Sequence, residues 1–330
     1  MNGRMAFPPW ATALMLLALA AFVVLVVLSI RRNRGFRRTL FSFPYSLWIV
    51  VFTIIPLLLI GYYAFTDRMG QFTLDNFKTF WDSNFEMNKQ LTQLGFDPAA
   101  LGSARGTVNV DTLVYSLWMA LACTLICLLI GYPAALFMAD RNFRLGSTLV
   151  ILFIIPMWMN FLLRTIAWMS LLEDNGLINT LLKALGLPKA QLMYNSQAVL
   201  LGMVYNYLPF MVFPIYNSLS KQDRRLTEAS MDLGANPALT FLKVTMPLSL
   251  PGVVSGITMV FMPSVTTFFI PRVLGGGNTE MFGDLIERTF LSADNWNVGS
   301  ALSLIMMVLI LLSLSLLRKV DPEGEGGSMI

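Results

Sequence analysis

The sequence predicts an all-α polytopic membrane protein, and three observations carry that prediction. Of 330 residues, 56% are hydrophobic and only 13% are charged, against about 25% charged in soluble domains. The apolar residues gather into seven runs, each near the roughly 20 residues that a spanning helix needs. Lys and Arg are distributed unevenly among the segments between those runs.

The runs are residues 10–30, 43–65, 113–139, 146–172, 196–219, 248–270 and 298–317, and Arg164 is the one charge within them. Pro56, Pro133, Pro156, Pro209, Pro214 and Pro263 fall inside runs, which predicts kinked helices in a bundle whose neighbours satisfy the freed carbonyls. The first run has its basic flank after it rather than before it and shows no small-x-small cleavage site, so a retained anchor helix is expected. With loop 31–38 (RRNRGFRR, five arginines) inside, the runs alternating and Arg272 counted with the end of run 248–270, the inside segments hold 13 Lys/Arg and 7 Asp/Glu, the outside ones 8 and 12. That asymmetry, +6 against −4, places the N-terminus outside and the C-terminus inside. The expected organisation is an anchor and basic turn over 1–39, a transmembrane domain over 40–318 and a disordered tail over 319–330.

Between the runs, segment 66–112 mixes polar residues with Phe72, Phe77, Phe80, Trp81 and Phe85. Short helices are expected there, either capping the bundle or merely connecting. Segment 173–195 contains GLINTLLKALGLP, whose Leu/Ile spacing suits a helix at the outer interface.

The polar stretch 221–251 is the most informative. It should form a helix over 226–233, stop at Gly234, and restart with Asn236 as N-cap and Pro237 in the first helical position. A second helix over 238–244 should then lead to Pro247. Leu226, Ala229, Leu233, Ala238, Phe241 and Leu242 give this helix–turn–helix an apolar face. That face suits headgroups or a protein; the small residues Ala229, Ser230, Gly234 and Ala235 favour close approach by a protein.

Several function classes are excluded. With no His, His catalysis, His ligation and His proton switching are absent. Cys123 and Cys127 lie four apart in one apolar run and read as reduced packing residues, with no metal site expected. No Gly-Lys dipeptide occurs, so the phosphate-cradling G-x-x-x-x-G-K-[ST] loop is impossible. The runs contain no Asp or Glu, which argues against an ion-coupled carrier or channel. An intramembrane enzyme lacks its residues, and nothing points to nucleic acid.

The stretch E-A-S-x-x-x-G at 228–234, followed after nine residues by V-x-M-P at 244–247, resembles the EAA loop of ABC-importer permeases. Ser230, Val244 and Met246 are mild departures from that pattern. Together with PMWMNFLLRTIAW (156–168), NGLINTLLKALG (175–186) and YLPFMVFPIYNSL (207–219), the resemblance extends over about 40–318 and is nearest the spermidine/putrescine permease group. It implies the type I importer transmembrane fold, six core helices, with run 10–30 as one extra N-terminal helix. It implies a coupling loop over about 220–251, with Glu228, Ala229, Ser230, Gly234 and Ala235 meeting an ATPase. It also implies two ATPase copies that bind ATP and Mg, a second permease as heterodimer partner, an external substrate-binding protein and a bacterial inner-membrane location. Related permeases carry ferric iron, thiamine or oxyanions, and those substrates stay open.

For the pathway, Asn160, Arg164 and Trp168 are spaced as one helical stripe. Arg164 lies roughly 25 Å from the inner end of a straight span at about 1.5 Å per residue. Tyr205, Asn206 and Tyr207 fall at a similar depth, predicting a shared polar patch. Trp158, Trp168, Tyr205 and Tyr207 suit alkylammonium groups through cation–π attraction, or serve as packing aromatics. Arg164 either lines the route or braces a helix contact. Gly252–Gly256 is a G-x-x-x-G that suits a dimer face, and Gly275–Gly277 is either a turn or a mobile loop near the outer gate.

Overall fold

A computed structural model describes residue 45 and residues 47–94, 106–140 and 146–320. The expected span 10–30, the arginine-rich loop 31–38 and residues 321–330 of the tail lie outside the described residues. The chain divides into two compact units, Met1–Leu74 and Asp75–Ile330.

In the first unit, α1 (Leu47–Ala64) is the expected second span. Val50–Ile54 widens into a π-helical turn just before Pro56, keeping the ladder closed where proline offers no N–H. Beyond α1 the chain doubles back. Phe65 and Phe72 stack at 6.1 Å, and Asp67 Oδ1 accepts from Met69 N and Gln71 N.

The second unit runs α2 (Asp75–Trp81), α3 (Phe85–Gln93), α4 (Val108–Ala139), α5 (Gly146–Trp158), α6 (Phe161–Leu172), α7 (Leu177–Ala184) and α8 (Ser196–Ser220). It continues with α9 (Arg224–Asp232), α10 (Pro237–Thr266), α11 (Phe269–Leu274), α12 (Phe282–Leu291) and α13 (Trp296–Val320). Five helices among the described residues are long and apolar enough to cross a membrane, six if the bent pair α5–α6 is counted as one broken span. Among the described residues there is no strand beyond one isolated bridge.

The core is built where α4, α8 and α10 pack together. Cys123, Cys127, Met203, Met211, Val212, Ile215 and Val260 are buried there, and both cysteines are free thiols. A Cβ on Gly252 would stand 2.7 Å from Pro214 O and 2.5 Å from Ser218 Cβ; one on Gly256 would stand 2.8 Å from Met211 Sδ. The G-x-x-x-G therefore brings α10 onto α8 within this chain, and the dimer-face expectation is corrected.

Three span boundaries also differ from expectation. α4 starts at Val108 rather than 113, because its first turns are polar yet buried. Asn109 Nδ2 donates to Thr79 O at 2.7 Å, and Ser116 Oγ accepts from Phe282 N at 2.7 Å. The run 146–172 is not one helix but two, bent by 96°. The run 248–270 begins at Pro237 and ends at Thr266. At its N-terminal end a π-helical turn over Phe241–Thr245 carries the helix past Pro247. At its C-terminal end a continuous helix would push the Pro271 ring against the carbonyl four residues before it. The chain instead restarts at Phe269, so Pro271 falls in a first turn.

Segment 66–112 does form short helices, and Phe80 belongs to a second core with Leu113, Val265, Phe282, Leu285 and Leu302. Asp75 fastens α2 to α3 through Lys89 at 2.6 Å and pairs with Lys78 at 2.9 Å; these lysines hold its carboxyl below the usual range. The expected interfacial helix is α7. Asn179 anchors it by donating to Glu173 O and Ala190 O and accepting from Ala190 N, while Leu177, Leu181 and Leu185 stay exposed.

The glycine contacts set an order of sensitivity. Gly252→Ala meets backbone and should cost about 1–3 kcal/mol, the usual range for overpacking. Gly256→Ala chiefly meets a flexible Met211 side chain and should cost less. Thermal unfolding of the purified protein in detergent checks this; equal Tm values for both variants would contradict the packing.

Candidate coupling and pathway sites

The hairpin at 221–251 is built from local rules. Asp223 caps α9 by accepting from Arg225 N at 3.0 Å. At the other end Ala235 N reaches Ser230 O and Gly234 N reaches Met231 O, the paired hydrogen bonds of a Schellman stop. Gly234 carries the required left-handed backbone, φ +88°. Asn236 then accepts from Leu239 N at 2.8 Å, starting α10 with Pro237 in its first turn.

Cross-links lock the two helices. Ser230 Oγ lies 3.1 Å from Thr240 Oγ1, and Gln222 Nε2 donates to Thr245 O at 3.1 Å. Glu228 pairs with Arg224 on its own helix at 2.9 Å, both groups more than half exposed, so the pair adds little stability. Ala229 is exposed and Ala235 half-buried. The locked turn presents apolar side chains outward: Leu226, Met231, Leu239 and Leu242 are exposed, and Leu233 is 90% exposed. A groove of about 550 Å³ runs beside α9, floored by Pro133, Leu136 and Phe137 of α4.

The pathway candidates divide. α5 ends at Trp158, whose side chain is 87% exposed. Asn160 is the N-cap of α6, its Oδ1 accepting from Leu162 N at 2.8 Å and Leu163 N at 3.4 Å. It is therefore not the first residue of a stripe with Arg164 and Trp168. The depth deduced for Arg164 from a straight span lapses with the 96° bend.

Arg164, Trp168 and Tyr205 do come together. Trp168 meets Tyr205 edge-on at 5.0 Å, and the Arg164 guanidinium lies 6.0 Å from the Tyr205 ring centre. Asn206 and Tyr207 turn the other way, because successive residues on a helix point about 100° apart. Asn206 is 1% exposed and donates to Gly202 O; Tyr207 is buried and donates from its hydroxyl to Pro263 O at 3.3 Å. The expected patch is thus divided: an aromatic–cation group facing α6, a Tyr207 hydroxyl donating to α10 and an Asn206 amide bonded to its own helix.

A charged cluster on α11 and α12 was not singled out from the sequence. Arg272 pairs with Glu287 at 2.6 Å and Arg288 with Glu280 at 3.0 Å. Burial pushes the Glu280 and Asp284 carboxyls above their usual range. The alternating charges of 280–288 were the available signal. Gly276 and Gly277, both at positive φ, make the turn before this cluster.

Known proteins resemble the chain in sequence and in fold. Residues 131–323 match the family described as binding-protein-dependent transport system inner membrane component. The chain is 33% identical over 271 residues to the spermidine/putrescine transport system permease protein PotB of Escherichia coli (strain K12), covering 80% of this chain and 90% of that one. It is 34% identical over 282 residues to the PotB of Haemophilus influenzae, covering 85% and 92%. A solved bacterial ABC transporter involved in the import of the acidic polysaccharide alginate superposes with a TM-score of 0.64 at 14% identity, covering 90% of this chain and 99% of that one. A second structure, of a bacterial alginate ABC transporter in complex with its pentasaccharide-bound periplasmic protein, gives 0.62, also at 14% identity. At that identity the likeness speaks for the fold alone.

Proposed function

The chain belongs to the binding-protein-dependent transport system inner membrane components, and we propose that it is the permease subunit of an importer for spermidine and putrescine. The observation that carries the substrate is the 33–34% identity to two PotB permeases over at least 80% of this chain. Membership in this family also sets aside the secondary-transporter and channel readings.

In this reading the chain forms half of a pathway with a different permease. Two ATPase copies bind ATP and Mg, and an external protein delivers substrate. The N-terminus is outside and the C-terminus inside. The coupling surface is α9 with its stop, where Glu228, Ala229, Ser230, Gly234 and Ala235 meet the ATPase. What supports this is a rigid turn that exposes an apolar face and runs directly into span α10. A push on α9 reaches α10 through the Ser230–Thr240 and Gln222–Thr245 contacts. It then passes to α8 along the close approach at Gly252.

On the route, Trp168 and Tyr205 are the best-placed faces for alkylammonium groups, Trp158 stands at the exposed tip of α5, and Asn206 and Tyr207 support from behind. Cation–π contacts of about 0.5–2 kcal/mol each would hold a polycation weakly enough to release it.

Three measurements test this reading. Gly234→Val forces a β-branched residue into left-handed backbone, costing about 1–2 kcal/mol. No atom stands within 4 Å of the added Cβ, so the damage is confined to the turn. Spermidine uptake should fall at least tenfold, with normal membrane levels and weakened ATPase co-purification; unaltered uptake and ATPase retention would sink the coupling assignment. In a Cys123→Ala/Cys127→Ala background, a Gln222→Cys variant should react with an impermeant thiol reagent only in inside-out vesicles; reaction from the external face would invert the topology. Trp168→Ala and Tyr205→Ala should each lower uptake about two- to thirtyfold, matching about 0.5–2 kcal/mol per cation–π contact, with ATPase binding retained. Wild-type uptake kinetics in both would remove these rings from the route.

A further inference from the structure

The elbow between α5 and α6 poses a problem that one side chain answers. α5 ends at Trp158 in an apolar run, and the helical stretch Phe161–Ala184 departs at 96°. A helix end leaves four carbonyls without intrahelical partners, and hydrocarbon offers no water to satisfy them. Pro156 O takes one hydrogen bond from Met159 N at 3.2 Å; Arg164 reaches back across the turn, and its Nη1 gives the same carbonyl, eight residues earlier, a second at 3.0 Å. This puts a cation at the C-terminal, negative end of α5. In its own helix the same residue lies four positions after the N-cap Asn160, near the positive end. The side chain is only 6% exposed. Tyr205 lies 6.0 Å from it, and no carboxylate among the described residues pairs with it. Its Nε has no hydrogen-bond partner. A charge within a span is costly and is kept where it has a task; the geometry leaves the carbonyl end of α5 as that task.

We propose that Arg164 is a positioning residue: the cationic cap of α5 that fixes the elbow angle and so sets where the tip, Trp158 to Asn160, meets the pathway. Irregular backbone at membrane depth is tolerated where it is buried in protein or lines a water-filled cavity. Trp158 is uncovered by its own chain, so the tip faces the route or the second permease. This inference rests on the permease reading above.

The test uses the complete transporter, co-expressed with its ATPase, partner permease and binding protein. A Trp158→Cys reporter in the Cys123→Ala/Cys127→Ala background is labelled with an impermeant maleimide. Adding Arg164→Ala should change the labelling rate at least threefold. In the native-tip protein it should lower maximal uptake at least tenfold while KM moves less than threefold. Arg164→Lys keeps a cation able to donate to the Pro156 carbonyl and should stay within twofold of the parent in both assays. Unchanged labelling in Arg164→Ala overturns the proposal, and so does an Arg164→Lys protein that behaves like Arg164→Ala. If Arg164→Ala is not recovered, Asn160→Ala loosens the same elbow from the α6 side. It should shift reporter labelling at least threefold with Arg164→Lys still normal; no shift there overturns the cap. Labelling needs neither transport nor a particular substrate. A wrong substrate or a failed coupling assignment therefore shows in uptake and ATPase retention, separately from the elbow.

Discussion

Hydrocarbon cannot hydrogen-bond a backbone, and the arrangement of this chain follows from that constraint. A crossing helix must keep its ladder closed, and where it opens, a side chain must close it. The chain uses three devices. π-Helical turns at Val50–Ile54 and Phe241–Thr245 let Pro56 and Pro247 stay inside continuous helices. Hydroxyls of Thr124, Thr165 and Thr258 return their hydrogen bonds to carbonyls four residues earlier, so polar side chains lie within spans with their donors used. At the break in α5–α6, Asn160 serves the amide side, and Arg164 joins Met159 N on the carbonyl side. The buried charge and the bend thus share one cause.

The sequence made legible whatever depends on neighbours in the chain. The stop at Gly234, the cap at Asn236 and the first-turn Pro237 are local backbone chemistry, and each stands where spacing placed it. The five long apolar helices and the bent pair each fall on a run that apolar length had marked. What was not readable is how one run is divided. An apolar run of 27 residues, 146–172, has the same hydropathy whether straight or bent, and Pro156 with Asn160 could equally have produced a kink. The orientation of Tyr205 against Asn206 and Tyr207 was also hidden. Adjacent residues share a depth but not a face, and α6 and α10 flank α8 on different sides. The start of α4 escaped because Asn109, Asp111 and Thr112 are polar in sequence, although Asn109 is buried and bonded to Thr79 O.

Close packing fixes which helices move together. Gly252 and Gly256 let α10 come close to the α8 backbone, and Gly131 lets α4 close onto the Met211 and Val212 side chains. Tyr132 also reaches Ser249 at 2.8 Å. These three helices therefore behave as one body, since interiors this dense transmit displacement rather than absorb it. α9 stands outside that body, joined to it by the hairpin cross-links and the start of α10.

The difference between a π-helical turn and a true break then has a mechanical consequence for the coupling reading. At Phe241–Thr245 the ladder is widened but unbroken, so a displacement entering at α9 passes into α10 along its axis. At Thr267 the ladder ends: the backbone is extended there, φ −63° and ψ 138°, and α11 begins anew. Axial motion of α10 cannot continue through that point and must become reorientation of α11. α11 is not isolated, because Phe269 lies 6.1 Å from Phe161, ring centre to ring centre, and Phe161 opens α6. The two broken crossings thus meet side by side, each just beyond its break. On the coupling reading, a push that enters α10 from α9 would reach the elbow through α11 and the Phe269–Phe161 contact, where Arg164 bridges the break.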